Sequence, residues 1–501
     1  MRSFTSGTLL AFAALASASA TPARSQSADN AVLTQQVQQL SQAVAQAQTQ
    51  LEESQRQMTE LRKQLAALQA QLAQNSATAA PAAETAKKID DLREQQEIQQ
   101  AEIATHEQSK VESASKYSLK LTGLLLFNGF VNTGGVDTPD TPTISSPGAG
   151  STGASMRQTM LGFYATGPHI FGASSFADLH IDFYGNPQVS AGNYAGGYYG
   201  HPSVPRLRTA HAGLLWDDTE LSFAFDRPLI SPDSPSSLVS LAVPALAWSG
   251  NLWQWNPQLE LSHTIPAGPN RFIKFESALI DTQDTLMPPL ATSAYTQESL
   301  YTSLSEQSRW PGVEARIALT GSPAEQHGNH FGVGGYFSPH LLPNGTRYNA
   351  WAATLDEQLQ LPHRFELTGS AYRALGLGGL GGGAYKDFTY VESDKGGGYY
   401  YHPLDDVGGW AQIKKRAGQR LEFNGAFGID NVFAHELSRT PVPINYGYSY
   451  LARNHTATGN VIYSPSAYLL FSLEFRHLTT WSTTGAPSNS NVVGLGAGYS
   501  F

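Results

Sequence analysis

Hydrophobic and polar residues alternate along most of the chain after Tyr117. In the stretch ADLHIDFYG, residues 177–185, Leu179 and Ile181 share one parity while Asp178 and Asp182 share the other. Such alternation is typical of a β-strand whose two faces meet different surroundings. Sixteen stretches of this kind follow one another, so the pattern predicts sixteen strands. Their expected bounds are 117–131, 155–166, 172–185, 205–216, 219–227, 251–264, 270–281, 308–320, 327–337, 348–361, 363–375, 406–416, 419–430, 452–463, 467–479 and 490–501.

The connections between these stretches are of two kinds that alternate along the chain. One kind is short, as in WDDT, PAGPN and LPH, and the other is long, polar and rich in Gly, Pro, Tyr and Asp. Short turns at one end and long loops at the other are typical of a transmembrane barrel, which must close because lipid does not tolerate an open sheet edge. The expected fold is an all-β antiparallel barrel of about 16 strands over residues 117–501. Long connections are expected at 132–154, 186–204, 228–250, 282–307, 376–405 and 431–451.

The last stretch, NVVGLGAGYSF at 491–501, alternates large and small residues. Val493, Leu495, Ala497, Tyr499 and Phe501 share one parity, and Gly or Ser occupies the other. This strand is expected to close the barrel against the first one. Its large face is then expected to contact lipid, with the two aromatic residues at the membrane interface.

The chain begins with a different pattern. MRSFTSGTLLAFAALASASA has a basic start, a short apolar run and small-x-small sites near its end, so residues 1–20 are expected to form a secretory signal peptide. Residues 21–113 are expected to form a periplasmic coiled coil and a helical neck, with a break at 74–86 where Pro81 interrupts the helix. The heptad positions leave dimer and trimer open. They are Val37, Val44, Leu51, Met58, Leu65 and Leu72, with Leu33, Leu40, Ala47, Ser54, Leu61 and Leu68.

Composition agrees with a β-barrel and excludes several other classes. Charged residues are 14% of the 501 positions, Gly numbers 47 and the mean hydropathy is −0.27, which is too polar for a bundle of membrane helices. The longest apolar run after the N-terminus, SLVSLAVPAL at 237–246, is too short to span a membrane as a helix. The net charge of −10 argues against a nucleic-acid partner, and the absence of Cys excludes disulfides and thiolate metal sites.

Taken together, the expected coiled coil, the sixteen strands and the terminal Phe501 resemble the DcaP-like outer-membrane porins, as do segments such as LRTAHAGLLWDDT at 207–219. More loosely, the chain resembles phosphate-selective and sucrose porins. The resemblance implies a homotrimer that conducts small hydrophilic solutes, often anionic dicarboxylates, with the coiled coils in the periplasm. Tyr499 and Phe501 resemble the assembly signal that the barrel-insertion machinery reads in such proteins. Phosphate-selective members have many channel lysines and this chain has few, so phosphate selectivity is not expected.

Residues on the polar parity are expected to face a water-filled lumen. Several acids and bases lie two positions apart on one strand, so they either neutralise each other along the wall or form a field across the pore. The sequence leaves both open. The expected channel-lining residues are Arg206, Arg208, Lys274, Arg316, Arg364, Arg476, Asp178, Asp182 and Asp356.

The sequence predicts a pore and no enzyme. His455 and Thr456 are the nearest approach to a nucleophile with a base, but neighbours on a strand point to opposite faces. No catalytic residue, cofactor site or metal site is expected. The predicted function is passive diffusion of small hydrophilic solutes through the bacterial outer membrane. A weak preference for anions is expected from Arg206 and Arg208 together with Arg364 and Arg476. The opposing interpretation is that Asp178, Asp182 and Asp356 form the narrowest ring of the pore and select cations. The alternative is a coiled-coil tether or adhesin that binds cell wall or a periplasmic partner and is anchored by a closed barrel.

Overall fold

A computed structural model describes most of the residues after position 118. The described ranges are 119–185, 203–282, 302–323, 328–342, 344–383, 387–392, 399–438, 451–483 and 486–501. All belong to one compact unit, Ala104–Phe501. The expected signal peptide and coiled coil lie outside the described residues.

The described residues form nineteen β-strands. Seventeen belong to one sheet, and β13 and β14 form a separate hairpin. The strands are β1 (Leu119–Val136), β2 (Ser145–Ser155), β3 (Met160–Ile170), β4 (Ala173–Asp182), β5 (Arg206–Leu215), β6 (Thr219–Asp226), β7 (Asn256–Gly268), β8 (Arg271–Ile280), β9 (Gly312–Thr320), β10 (His330–Leu341), β11 (Arg347–Leu361), β12 (Phe365–Leu375), β13 (Phe388–Glu392), β14 (Tyr399–Pro403), β15 (Asp405–Arg416), β16 (Leu421–Val432), β17 (Leu451–Tyr463), β18 (Leu469–Ser482) and β19 (Ser488–Ser500).

The large sheet closes on itself as a barrel of sixteen antiparallel strand positions, as the sequence predicts. Strand β1 pairs with β19 on one side. On its other side, Leu119–Leu124 pair with β3 and Asn128–Val136 pair with β2. Strands β2 and β3 therefore share one position around the barrel.

Two of the expected long loops contain strands. Residues 132–154 include the end of β1 and most of β2, so the barrel wall extends beyond the predicted strand. Residues 376–405 include the hairpin of β13 and β14. Periodicity missed both because their residues are small or aromatic and do not alternate with polar ones.

The outer face of the barrel is apolar and the inner face is mostly polar. In β9, Val313, Ile317 and Leu319 point outward and are about half exposed, at 45%, 54% and 51%, whereas Glu314 and Arg316 point inward and are almost fully buried. Because side chains alternate along a strand, one register serves both environments. An outward apolar band of this kind suits the hydrocarbon region of a membrane.

The final strand has the predicted orientation. Val493, Leu495 and Tyr499 are exposed on the outer face, and the backbone of Phe501 exchanges hydrogen bonds of 3.0 and 2.9 Å with Gly123 of β1. The Tyr499 ring lies 6.2 Å from the Tyr468 ring and 6.4 Å from the Phe501 ring. These aromatic residues form a small cluster at the end of the barrel where the short turns lie, called the turn end below.

Helices are few and short in the described part of the chain. They are α1 (Leu304–Ser308), α2 (Ala434–Leu437) and two single 3-10 turns. No helix there is both long and apolar enough to cross a membrane. Helix α1 begins with a capping box, in which the Ser303 hydroxyl accepts from the Glu306 backbone N–H and the Glu306 carboxylate accepts from the Ser303 N–H.

Candidate functional site: the barrel lumen and its inner loop

The connection between β6 and β7 folds into the barrel. We call it the inner loop; it runs from Arg227 to Trp255 and includes the apolar stretch at 237–246. Ile230 and Leu252 are 0% and 1% exposed, and Val239 is 7% exposed. A chain segment without regular structure is buried only where its backbone groups find partners. The inner loop finds them on the barrel wall.

One set of anchors comes from the wall formed by β9, β15 and β18. The Glu314 carboxylate accepts from the Leu229 backbone N–H at 2.7 Å. The Gln412 side-chain oxygen accepts from the Ser236 N–H at 2.6 Å, and the Ser237 hydroxyl donates to Glu474 at 2.6 Å. These residues point inward because they lie on the polar parity of their strands.

A second set comes from the break between β2 and β3 and from β17. The Gln158 side chain donates to the carbonyl of Val239 at 2.9 Å and accepts from the N–H groups of Leu241 and Ala242 at 2.7 and 3.0 Å. Gln158 is 0% exposed and lies in the break between β2 and β3. On β17, Asn454 donates to the Trp248 carbonyl at 3.0 Å. The inner loop is therefore hydrogen-bonded around much of the lumen.

Inward glycines make room for this loop. A Cβ atom at Gly494 would lie 3.0 Å from Val239, and one at Gly496 would lie 3.2 Å from Leu238. A Cβ atom at Gly334 would lie 2.8 Å from Ile230. The inward positions of the last strand are therefore occupied by small residues because the inner loop packs against them. Sequence reasoning found the alternation but not this cause.

Two expected channel-lining arginines are buried in ion-pair clusters. Arg316 is 0% exposed at its side chain and binds Asp356 through two bonds of 2.9 and 2.6 Å. It also binds Glu276 at 2.5 Å, and Glu276 pairs with Lys274 at 2.6 Å. These acids and bases therefore neutralise each other along the wall. This is one of the two alternatives that the sequence left open.

Arg476 has a similar arrangement. It pairs with Glu474 at 2.5 Å and donates to the Pro142 carbonyl at 2.9 Å and to the Ser240 hydroxyl. Its side chain is 6% exposed. Arg476 therefore fastens the inner loop and the β1–β2 connection to β18, and little of its surface is open to solvent.

Arg206 and Arg208 lie together beside Asp182. Arg206 binds both carboxylate oxygens of Asp182, at 3.0 and 2.6 Å, and Arg208 lies 3.5 Å from the same group. Arg206 and Arg208 share one parity of β5 and point inward, whereas Leu207 between them is exposed on the outer face. Arg206 and Arg208 also flank the Trp255 ring, at 5.2 and 4.9 Å from its centroid. Arg206 additionally donates to the Ala242 carbonyl at 2.8 Å.

Tyr184, just beyond β4, extends this stack. Its ring lies between Arg157 at 4.0 Å and Arg206 at 5.4 Å. Burial raises the pKa of the Tyr184 hydroxyl, so the phenol stays neutral beside Asp140, to which it donates at 3.2 Å. Arg157, Tyr184, Arg206, Trp255 and Arg208 thus alternate cation and aromatic ring.

Asp178 belongs to a separate cluster nearer the turn end. His211 lies between Asp178 and Asp226, with ring-nitrogen distances of 2.9 and 3.1 Å. His180, which the sequence placed between Asp178 and Asp182, contacts the Tyr164 hydroxyl at 2.7 Å and the Thr209 hydroxyl at 3.0 Å. Asp178, Asp182 and Asp356 therefore lie in three different clusters.

Arg364 is not on the barrel wall. It lies in the 3-10 turn Pro362–Arg364 between β11 and β12, is exposed, and has a positive φ of 63°. Alternation had assigned it to the strand that the structure begins at Phe365. The correction follows from the turn, because His363 and Arg364 both leave the extended region that alternation requires.

Open space remains on one side of the lumen. A cavity of about 940 Å³ lies between the start of the inner loop and the strands β5–β8. It reaches the turn end, since Asp217 and Asp218 of the β5–β6 turn line it together with Pro323 of the β9–β10 turn. Lys274 and Arg208 are the expected channel-lining residues that also line this cavity.

The described residues contain two groups of possible metal ligands. Asp233, His330 and Asp356 have ligand atoms within 4.8 Å of one another, as do Asp405, His435 and Glu436. The ligands of the first group already have partners, since Asp356 binds Arg316 and His330 lies 2.8 Å from Asp233. This contact between β10 and the inner loop is a further anchor.

The residues considered for catalysis are apart. Thr456 points inward and its hydroxyl lies 2.8 Å from that of Ser249. His455 points outward, with its ring 4.5 Å from Trp481 and 5.9 Å from Phe427. A base on the outer face cannot activate a hydroxyl on the inner face.

Known structures share this architecture. The outer membrane channel DcaP of Acinetobacter baumannii has 15% sequence identity with this chain and a TM-score of 0.57, with 77% of this chain and 99% of that chain covered. Less similar are an anion-selective porin from Comamonas acidovorans (12% identity, TM-score 0.46, 77% and 100% covered) and OprB of Pseudomonas putida (12% identity, TM-score 0.44, 77% and 94% covered). No protein-family model and no curated protein sequence matches the chain. The described part of the chain therefore has the fold of the outer membrane channel DcaP, a closed antiparallel β-barrel.

Proposed function

We propose that this protein is an outer-membrane porin that allows passive diffusion of small hydrophilic solutes. The observation that supports this most is the cavity of about 940 Å³ beside the inner loop, inside a closed barrel with an apolar outer face. An inner loop that narrows the lumen while leaving one side open limits the size of solutes, and polar walls allow water to accompany them.

Liposome swelling tests this proposal. Vesicles that contain the purified protein should swell in solutions of small sugars and of small dicarboxylates, at a rate that falls as solute size increases. Protein-free vesicles are the control. Absence of swelling with every solute, together with absence of conductance in planar bilayers, would contradict a diffusion pore.

We propose in addition that the protein assembles as a homotrimer after cleavage of residues 1–20, with residues 21–113 in the periplasm. This rests on the N-terminal pattern and on the resemblance described above. Removing residues 21–113 should change the oligomeric state in detergent and leave single-channel conductance nearly intact. A large change in conductance would mean that this segment enters the pore.

The alternative, a tether or adhesin with a closed barrel, keeps the same N-terminal pattern but needs no open path. The cavity favours the pore. Swelling assays separate the two, because a closed anchor would pass neither sugars nor dicarboxylates.

The finer expectation of a weak anion preference now depends on Arg206 and Arg208. Arg316 and Arg476 are covered and paired with carboxylates, and Arg364 lies outside the lumen. If this expectation holds, Arg206→Ala combined with Arg208→Ala should reduce the anion preference measured from reversal potentials. The inference below has the opposite sign, so the wild-type reversal potential decides between them.

A further inference from the structure

The inner loop divides the lumen unequally. Its stretch from Ser236 to Ser249 is hydrogen-bonded to Gln412, Asn454 and Glu474 and rests on the glycines of β19, so the side of the barrel formed by β15–β19 is filled. The cavity lies on the other side, against β5–β8. If the protein conducts, as proposed above, solutes pass through that side.

The cavity wall carries an excess of carboxylates. Seven Asp and Glu residues line it, against three Arg and Lys residues and one His. The acids are Asp217, Asp218, Glu220, Asp226, Asp233, Glu260 and Glu276, and the bases are Arg208, Arg227, Lys274 and His330. Ion selectivity depends on the charges that lie within about a Debye length of the permeating ion, roughly 8 Å at physiological salt. The residues that line the cavity therefore affect selectivity more than charges in distant loops do.

Some of these acids are already neutralised, and others are not. Glu276 pairs with Lys274 and Arg316, and Asp226 with His211. Glu220 and Glu260 form no ion pair within the described part of the chain. They lie on the inner faces of the adjacent strands β6 and β7, where Ser222 pairs with Glu260 and Ser262 pairs with Glu220.

A second observation concerns Glu314 of β9, two strands away from Glu260 of β7. Glu314 is 0% exposed, and its Oε1 atom has no hydrogen-bond partner in the described structure. Its position aligns with that of Glu260 across Ala278 of β8, so two inward carboxylates face the same region without an ion-paired base between them. Of the two residues, Glu260 lines the cavity and Glu314 does not, so Glu260 is the one that a passing ion meets.

We propose that the permeation path runs along β5–β8 and that Glu220 and Glu260 make it select small cations, including solutes that bear an ammonium or guanidinium group. The paired Glu276, together with Asp217 and Asp218 at the turn end, extends the negative potential along the path. Arg206 and Arg208 are held by Asp182 and offset this field only locally.

The test is the reversal potential of the full-length protein in planar bilayers under a KCl gradient. Wild type should show cation preference. Glu220→Gln with Glu260→Gln, which keeps side-chain size, should lower the ratio of cation to anion permeability by about two- to sevenfold for each charge. One charge at ~7 Å in water shifts the energies of a cation and an anion by about RT in opposite directions, and salt screening reduces this effect. Glu357→Gln is the matched control, since Glu357 pairs with the outward Phe331 and should leave the ratio unchanged.

The outcomes separate the inference from the proposed function. Absence of conductance overturns both. Conductance with anion preference in wild type overturns cation selection alone. Conductance with cation preference that the double variant leaves unchanged overturns the assignment to Glu220 and Glu260. Cation preference that falls in the double variant and not in Glu357→Gln supports the inference.

Discussion

The ion-pair cluster around Arg316 leads to a quantitative prediction. Arg316→Met removes the guanidinium that binds Asp356 at 2.9 and 2.6 Å and Glu276 at 2.5 Å, and it leaves both carboxylates in place. The side chains of Arg316 and Asp356 are 0% exposed and that of Glu276 is 9% exposed. Breaking a buried pair from one side leaves an uncompensated charge, which costs about 3–5 kcal/mol. This lowers the equilibrium constant for folding roughly a hundredfold to several thousandfold.

The assay is unfolding by urea in detergent micelles or lipid vesicles, followed by tryptophan fluorescence and by the loss of heat-modifiable mobility. Arg364→Met is the matched control. It removes the same side chain from an exposed turn and should change the free energy of unfolding by about 0.5 kcal/mol or less. Adding Asp356→Asn to Arg316→Met should recover part of the loss, because the carboxylate that lost both guanidinium bonds is then uncharged, while Glu276 keeps its pair with Lys274.

The reasoning would be refuted if Arg316→Met proved no less stable than Arg364→Met. It would also be refuted if Asp356→Asn lowered the stability of the Arg316→Met protein further. Either result would mean that water reaches the cluster and screens the carboxylates.

Three further predictions concern the inner loop, the β1–β2 connection and the last residue. Gly494→Val should displace the inner loop from β19 at a cost of about 1–3 kcal/mol and change single-channel conductance, whereas Gly459→Val, where a Cβ atom would meet only the Asn424 carbonyl at 3.8 Å, should change neither. Burial raises the pKa of Asp137, so the native state binds a proton at this carboxyl more tightly than the unfolded state does. The free energy of unfolding should therefore fall as pH rises from about 4 through the raised pKa. Asp137→Asn should remove this pH dependence, which unfolding measured at several pH values checks. Deleting Phe501 should lower the heat-modifiable fraction of assembled barrel, because its backbone pairs with Gly123 and its ring completes the aromatic cluster; equal assembly of the deletion and of wild type would remove this role.

The barrel was predictable because the alternation of residues within each strand shows which of them face lipid and which face the lumen. The parity of β4, β9 and β19 is visible in the printed letters, and the structure confirms sixteen positions around the barrel. The strands that the sequence did not predict are those without alternation, such as β2 with its small residues and the aromatic hairpin of β13 and β14.

The lumen was less predictable, because what a side chain faces depends on distant parts of the chain. Parity assigned Arg316 and Arg476 to the inner face of the barrel. It could not show that Arg316 is covered by partners 40 residues away, or that the inner loop lies over Arg476. Gln158 and Asn454 looked like ordinary polar wall residues. The signal that could have found the inner loop was the apolar stretch at 237–246, which lies in a long connection where polar residues are expected.

The position of the inner loop also constrains the order of folding. Its anchors on the far wall lie 176 residues away at Gln412 and 237 residues away at Glu474, in strands that follow it in the chain. Contacts of such long sequence separation form late, since the intervening chain must be ordered first. The surface that holds the inner loop is therefore complete only when the last strands are in place. A nascent barrel would thus be wide before it is closed and would narrow only as its final strand arrives.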